Sequence, residues 1–134
     1  MGIANQAKRI LLIDDEPSTL LTYSFALRRF GYEVTTEIVA RRGLQSAREG
    51  DFDLVIVDYR MPELLGNEII KTLRIEHNPV PILLISASKS PLVNMPSKYK
   101  EKVAFRLKPM VPSTLKEAVE SLIGTASESL DTAS

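Results

Sequence analysis

The sequence predicts an α/β domain: a single doubly wound, five-stranded parallel sheet with helices on both faces, its fourth helix short or irregular. Three observations carry that prediction. The runs "ILLI" (10–13), "LVIV" (54–57) and "ILLIS" (82–86) are continuously apolar rather than alternating, as in strands buried on both faces. Segments of helical period lie between the runs, and this alternation marks repeated βα units. The apolar runs also stop at polar or charged residues, most plainly in "RILLIDDEPS", where three acids follow a hydrophobic strand.

Each element has its own signal. After the first run, Leu20, Tyr23, Leu27 and Phe30 recur on one helical face from Pro17 to Phe30, with Gly31 placed to end the helix. "YEVTT" (32–36) is a weaker strand candidate. A second helix spans Ala40 to Glu49 and stops at Gly50. Beyond the run at 54–57, "GNEIIKTLRIEH" offers Ile69, Ile70 and Leu73 before Pro79 and Pro81 forbid continuation. After the run at 82–86, the alternation calls for a helix in 88–102. Pro91 and Pro96 each remove a backbone donor there, so a short or broken segment is expected. "VAFRL" (103–107) is the fifth strand candidate. The last helix, "PSTLKEAVESLI", carries Leu115, Ala118, Val119 and Leu122 on one face and Pro112 in its first turn. Val111 before it has no side-chain oxygen to cap it.

The 134 residues suit one domain, divided as an N-terminal extension (1–8), the domain itself (9–123), and a flexible tail or start of a linker (124–134). Lys and Arg total 17, as do Asp and Glu, so no net charge draws the chain toward nucleic acid or an anionic membrane. Cysteine is absent, which excludes disulfides and thiolate metal sites. No apolar run approaches the ~20 residues of a membrane span. Gln6 stands where a myristoylation signal needs Ser or Thr. The expectation is a cytoplasmic protein that contacts neither membrane nor nucleic acid by this chain itself.

In a parallel sheet the strands point one way, so the residues closing each run gather at one edge, where such folds place their ligands. Those residues are Asp14 and Asp15, Asp58, Ser86, and Lys108 before Pro109. Three neighbouring carboxylates repel, and either a pKa rises or a cation is recruited. Oxygen ligands favour Mg²⁺ over zinc. Lys108 adds a point charge and Ser86 a hydroxyl, both useful to a phosphoryl group and unnecessary for a bare metal site. The five together describe a carboxylate that can be phosphorylated.

The ordered set "ILLIDDEP", "DLVIVDYRMP", "ILLISAS" and "AFRLKP" resembles the receiver domain of two-component response regulators, over roughly Arg9 to Ile123. The resemblance implies the flavodoxin-like receiver fold and a role in phosphorelay signalling. Asp58 would take a phosphoryl group from a sensor histidine kinase or a histidine phosphotransfer protein. Asp15, Asp58 and the backbone carbonyl of Arg60 would bind Mg²⁺ directly, with Asp14 holding metal-bound water. Lys108 would contact first the carboxylate and then a phosphoryl oxygen. Ser86 and the backbone N–H of Ala87 would hold the new group, and Phe105 would swing inward on activation. The Lys108–Pro109 peptide would be cis. A downstream protein target is implied without being identified.

Three features depart from the family pattern. Arg60 is a long cation beside the acceptor, placed to alter the lifetime of an acyl phosphate. The 88–102 segment lies where a reporting helix is common, and Phe105 lacks a hydroxyl. Taken singly, Asp14–Asp15 suits a solvated turn and Asp58 a loop cap. His77 suits the surface, and "KYKEK" (98–102) a solvated face. Two rival functions differ from the main reading. A Mg²⁺-dependent aspartyl-phosphate phosphohydrolase of the haloacid dehalogenase type needs a second Asp two residues after Asp58, where Arg60 stands. A receiver-like interaction domain acting without phosphorylation would lack a site residue, and none is missing.

Overall fold

Strands form where the apolar runs lie, and the helices between them follow the periodic segments. The computed structural model describes residues 7–89, 92 and 94–126. In order they form β1 (Arg9–Ile13), α1 (Pro17–Arg29), β2 (Glu33–Glu37), α2 (Ala40–Glu49), β3 (Leu54–Asp58), α3 (Gly66–Ile75), β4 (Ile82–Ser86), β5 (Val103–Leu107) and α4 (Pro112–Ile123). The weak strand candidate is real and lies one residue later than "YEVTT". Pro17 and Pro112 open α1 and α4, where a missing N–H costs nothing. Beyond α1, Gly31 takes φ +102°, a conformation that disfavours other residues.

All strand pairs are parallel, in the order β2-β1-β3-β4-β5. The chain steps from β1 outward to β2, returns to β3 on the other side of β1, and then continues outward. The direction of winding therefore reverses between β1 and β3, which opens a crevice at their carboxyl ends.

Strand alternation divides the core into two layers. Ile10, Leu12, Leu54, Ile56, Leu83 and Ile85 face α1 and α4, where Tyr23, Leu27, Leu115 and Val119 meet them. Leu11, Ile13, Val55, Val57, Ile82 and Leu84 face α2 and α3, against Leu44, Ile69, Ile70 and Leu73. The central strand residues Ile10–Ile13, Leu54–Val57 and Ile82–Ile85 are fully buried. Each such aliphatic side chain contributes about 1.5–3 kcal/mol, which holds the carboxyl ends of β1, β3 and β4 in fixed relation.

Among the described residues linking β4 to β5, the helical piece is one 3₁₀ turn, Ser97–Tyr99, opening after Pro96. The short, irregular fourth segment is thus found; Pro91 lies outside the described residues. The connection is pinned by Arg74 at the end of α3, which donates to the carbonyls of Asn78 at 2.8 Å and Glu101 at 2.9 Å. At the chain's two ends, the Lys8 N–H donates to the Ala126 carbonyl at 3.0 Å, and Ala126 is buried. Tyr32 Oη donates to the Gly124 carbonyl at 2.8 Å. Packing therefore extends past residues 9–123 on both sides. The remainder of the extension (1–6) and of the tail (127–134), including Leu130, lies outside the described residues. No helix among the described residues is long and apolar enough to cross a membrane.

Candidate functional site

Five run-end residues meet at the carboxyl edge of the sheet. Asp14 follows β1 and is fully buried; Asp58 closes β3 and Ser86 closes β4, both buried. Asp15 is half-buried beside Asp14. One carboxylate oxygen from each of Asp14, Asp15 and Asp58 lies within 4.8 Å of the others. Lys108, just beyond β5, reaches across with Nζ 3.0 Å from Asp14 Oδ2 and 3.6 Å from Asp58 Oδ1.

Local folding places each group. Asp14 donates its N–H to the Glu37 carbonyl at 3.2 Å, and its Oδ1 accepts the Glu16 N–H at 2.9 Å, which turns the chain into α1. The Asp58 end of β3 rests on Gly66 at the start of α3. The Gly66 N–H donates to the Tyr59 carbonyl at 2.7 Å, and a Cβ at Gly66 would stand 2.7 Å from the Asp58 carbonyl oxygen. Glycine is required there by close approach. Glu68 secures the same helix start by accepting the Leu65 N–H at 2.8 Å. Ser86 holds the lysine loop through its carbonyl, which accepts the Lys108 N–H at 2.8 Å. The Lys108–Pro109 peptide is cis. The next residue is fixed by Tyr23 of α1, whose buried hydroxyl accepts the Met110 N–H at 3.0 Å.

The other expected residues surround this centre. Ala87 is exposed directly after Ser86, and the Ser86 hydroxyl accepts the Ser88 N–H at 3.0 Å. The Arg60 side chain is exposed, its guanidinium 5.8 Å from the Tyr59 ring centre. Phe105 of β5 is half-buried against the α2/α3 layer and pairs in register with Leu84. His77 is exposed at the end of α3. Two contacts escaped the sequence reading. Glu16 accepts a hydrogen bond from Lys108 Nζ at 2.9 Å, and Tyr23 is more than a core residue. The only sequence signal for the first was a third acid directly following Asp14 and Asp15.

The electrostatics follow from burial and crowding. Burial, then repulsion from Asp14, pushes the Asp58 carboxyl up to about 6 against the pull of Lys108. Burial also raises Asp14, opposed by the Glu16 N–H and Lys108. For Lys108, burial favours loss of the proton, but the bonds to Glu16 and Asp14 outweigh it and hold the ammonium above its ordinary range. Such a centre, with three carboxylates, oxygen donors alone and one ammonium, fits a hard divalent cation such as Mg²⁺ rather than a thiophilic metal.

Fold and site define a class: a doubly wound α/β module with an acidic pocket, faced by a lysine, at the carboxyl edge of its sheet. Residues 10–120 match the family model described as the response regulator receiver domain, and the chain belongs to that family of signalling domains. Among curated relatives, the cell cycle transcriptional regulator CtrA of Caulobacter vibrioides is 31% identical over 80 residues, 60% of this chain and 35% of CtrA. The chain spans about a third of the length of the curated relatives it matches. Among solved structures, the chemotaxis response regulator CheY4 of Vibrio cholerae is 29% identical with a TM-score of 0.76, covering 86% of this chain and 98% of that one. The receiver domain of sensor histidine kinase PA1611 from Pseudomonas aeruginosa is 25% identical with a TM-score of 0.76, covering 88% of this chain and 98% of that one. That structure holds a magnesium ion in its active-site cleft.

Proposed function

We propose that Asp58 is the phosphoacceptor of a phosphorelay. A carboxylate oxygen of Asp58 attacks the phosphorus of a phosphohistidine on a sensor histidine kinase or a histidine phosphotransfer protein. The P–O bond forms as the P–N bond breaks, and the imidazole nitrogen leaves with the electron pair. The observation that carries this reading is the approach of Lys108 Nζ to within 3.6 Å of Asp58 Oδ1, inside a cluster of three carboxylates. Burial and the neighbouring Asp14 raise the Asp58 carboxyl to about 6, still below neutral pH, so the carboxylate form is available as the nucleophile.

Asp14, Asp15, Asp58 and the backbone carbonyl of Arg60 are the groups to hold Mg²⁺, whose charge, when bound, offsets that of the phosphoryl oxygens. Lys108 supplies a further positive charge from the β5 side. Ser86 gives up the Ser88 N–H and turns toward the new group, and the Ala87 N–H donates to it. The space left by Ser86 admits Phe105. Such a switch, driven from 1:99 to 99:1, needs ~5.5 kcal/mol of differential stabilisation, within reach of a few charge-assisted bonds. Later attack by water on the aspartyl phosphate resets the domain, and Arg60 modulates that step. The switched face would then bind a downstream protein in the cytoplasm.

The test is incubation with Mg²⁺ and acetyl phosphate followed by mass spectrometry of the intact protein. One added phosphoryl group is expected, lost in Asp58→Asn. Unmodified wild-type protein across several small donors would instead identify an interaction domain that works without phosphorylation.

A further inference from the structure

An ammonium has three N–H donors. In Lys108 one goes to Asp14 Oδ2 at 3.0 Å and one to Glu16 Oε1 at 2.9 Å, while Asp58 Oδ1 lies at 3.6 Å, beyond hydrogen-bond reach. Glu16 is itself propped, because Thr19 Oγ1 donates to the same Oε1 at 3.2 Å. The two carboxylates that hold the ammonium differ in setting. Asp14 is fully buried, whereas the Glu16 side chain is 59% exposed over a lysine that is 14% exposed. Glu16 thus covers the ammonium from the solvent side.

We propose that Glu16 is a positioning residue for Lys108: propped by Thr19, it draws the ammonium off Asp58 in the resting protein and releases it when Asp58 carries a phosphoryl group. This rests on Asp58 being the phosphoacceptor. The difference in burial decides which partner is released. Abandoning Asp14 would strand a buried charge, which is costly, whereas Glu16 returns to water at little cost. The phosphoryl group outcompetes Glu16 because it brings more charge and three acceptor oxygens. Glu16 therefore damps reactivity at rest and leaves the phosphorylated state unhindered.

In Glu16→Ala with Mg²⁺ and acetyl phosphate, the rate constant for phosphorylation should rise about two- to fivefold, the scale of a partly exposed charge pair. In a Lys108→Ala background, the same substitution should change the rate by a factor near one. An unchanged or lower rate in Glu16→Ala overturns the proposal. So does an equal acceleration without Lys108, which would mean that Glu16 acts on the donor by its charge alone. A second readout needs no phosphorylation: in ¹⁵N-lysine NMR, the Lys108 ammonium protons should exchange with water several-fold faster in Glu16→Ala than in wild type. Unchanged exchange also overturns the proposal. If wild type takes no phosphoryl group but Glu16→Ala still shows the faster exchange, the phosphoacceptor reading is refuted and the Glu16–Lys108 contact stands.

Discussion

Replacing Asp58 with Asn should make the metal-free protein more stable at neutral pH. Asp58 is 6% exposed, and burial and Asp14 together raise its carboxyl from the ordinary 3.8 to about 6. The folded protein therefore binds this proton more tightly than the unfolded chain, so the contribution of Asp58 to stability falls as pH rises from about 4 to 6 and is level above. The gap between 3.8 and about 6, at ~1.36 kcal/mol per tenfold change in proton affinity, is a penalty of ~3 kcal/mol at pH 7.5. Asn cannot ionise and escapes most of it. Urea denaturation in EDTA should show Asp58→Asn ahead by ~2–3 kcal/mol at pH 7.5, a midpoint shift of about 1 M. The advantage should shrink to a few tenths of a kcal/mol near pH 4, where the native aspartate is already protonated. Mg²⁺ should narrow the gap at pH 7.5, because a ligand stabilises the form that binds it better. A variant no more stable than wild type at pH 7.5, or an advantage independent of pH, would refute the reasoning.

Two further perturbations follow from the same geometry. Gly66→Ala should cost about 1–3 kcal/mol in urea denaturation and slow phosphoryl uptake, because a new Cβ meets the Asp58 carbonyl at 2.7 Å and Leu84 Cδ1 at 2.8 Å. Wild-type stability and rate together would show that the backbone yields freely there. Lys108→Ala should bind Mg²⁺ about tenfold more tightly by isothermal titration calorimetry, because the ammonium that competes for Asp14 and Asp58 is gone. Equal or weaker binding would show that ammonium and metal do not compete.

The sheet and the site centre were legible because both depend on patterns with few alternatives. Continuous apolar runs admit little besides buried parallel strands in this setting, and a parallel sheet must align their ends. Asp14, Asp58, Ser86 and Lys108 could therefore be brought together before any distance was known. Pro91 and Pro96 likewise announced the irregular link between β4 and β5. The Glu16–Lys108 bond was not legible, since it depends on which rotamer an exposed side chain adopts above the strand ends. Tyr23 fitted the helical stripe of α1, and periodicity says nothing of where its hydroxyl points. The burial of Ala126 was hidden by the small, polar composition around it, because one methyl group packed near Gly31 leaves no periodic trace.

The two sides of the pocket differ in how firmly they are mounted. Asp14 and Asp58 stand on β1 and β3, whose apolar residues between Ile10 and Val57 are sealed from water by the helices on both faces. Phe105 lies in β5 and Lys108 directly follows it, and β5 is a marginal strand with half-exposed residues along most of its length and no second neighbour in the sheet. The pocket is thus built like a vice with one firmly set jaw: its acids stand at the ends of strands sealed in the core, and the lysine facing them is carried by the outer, less buried edge of the sheet.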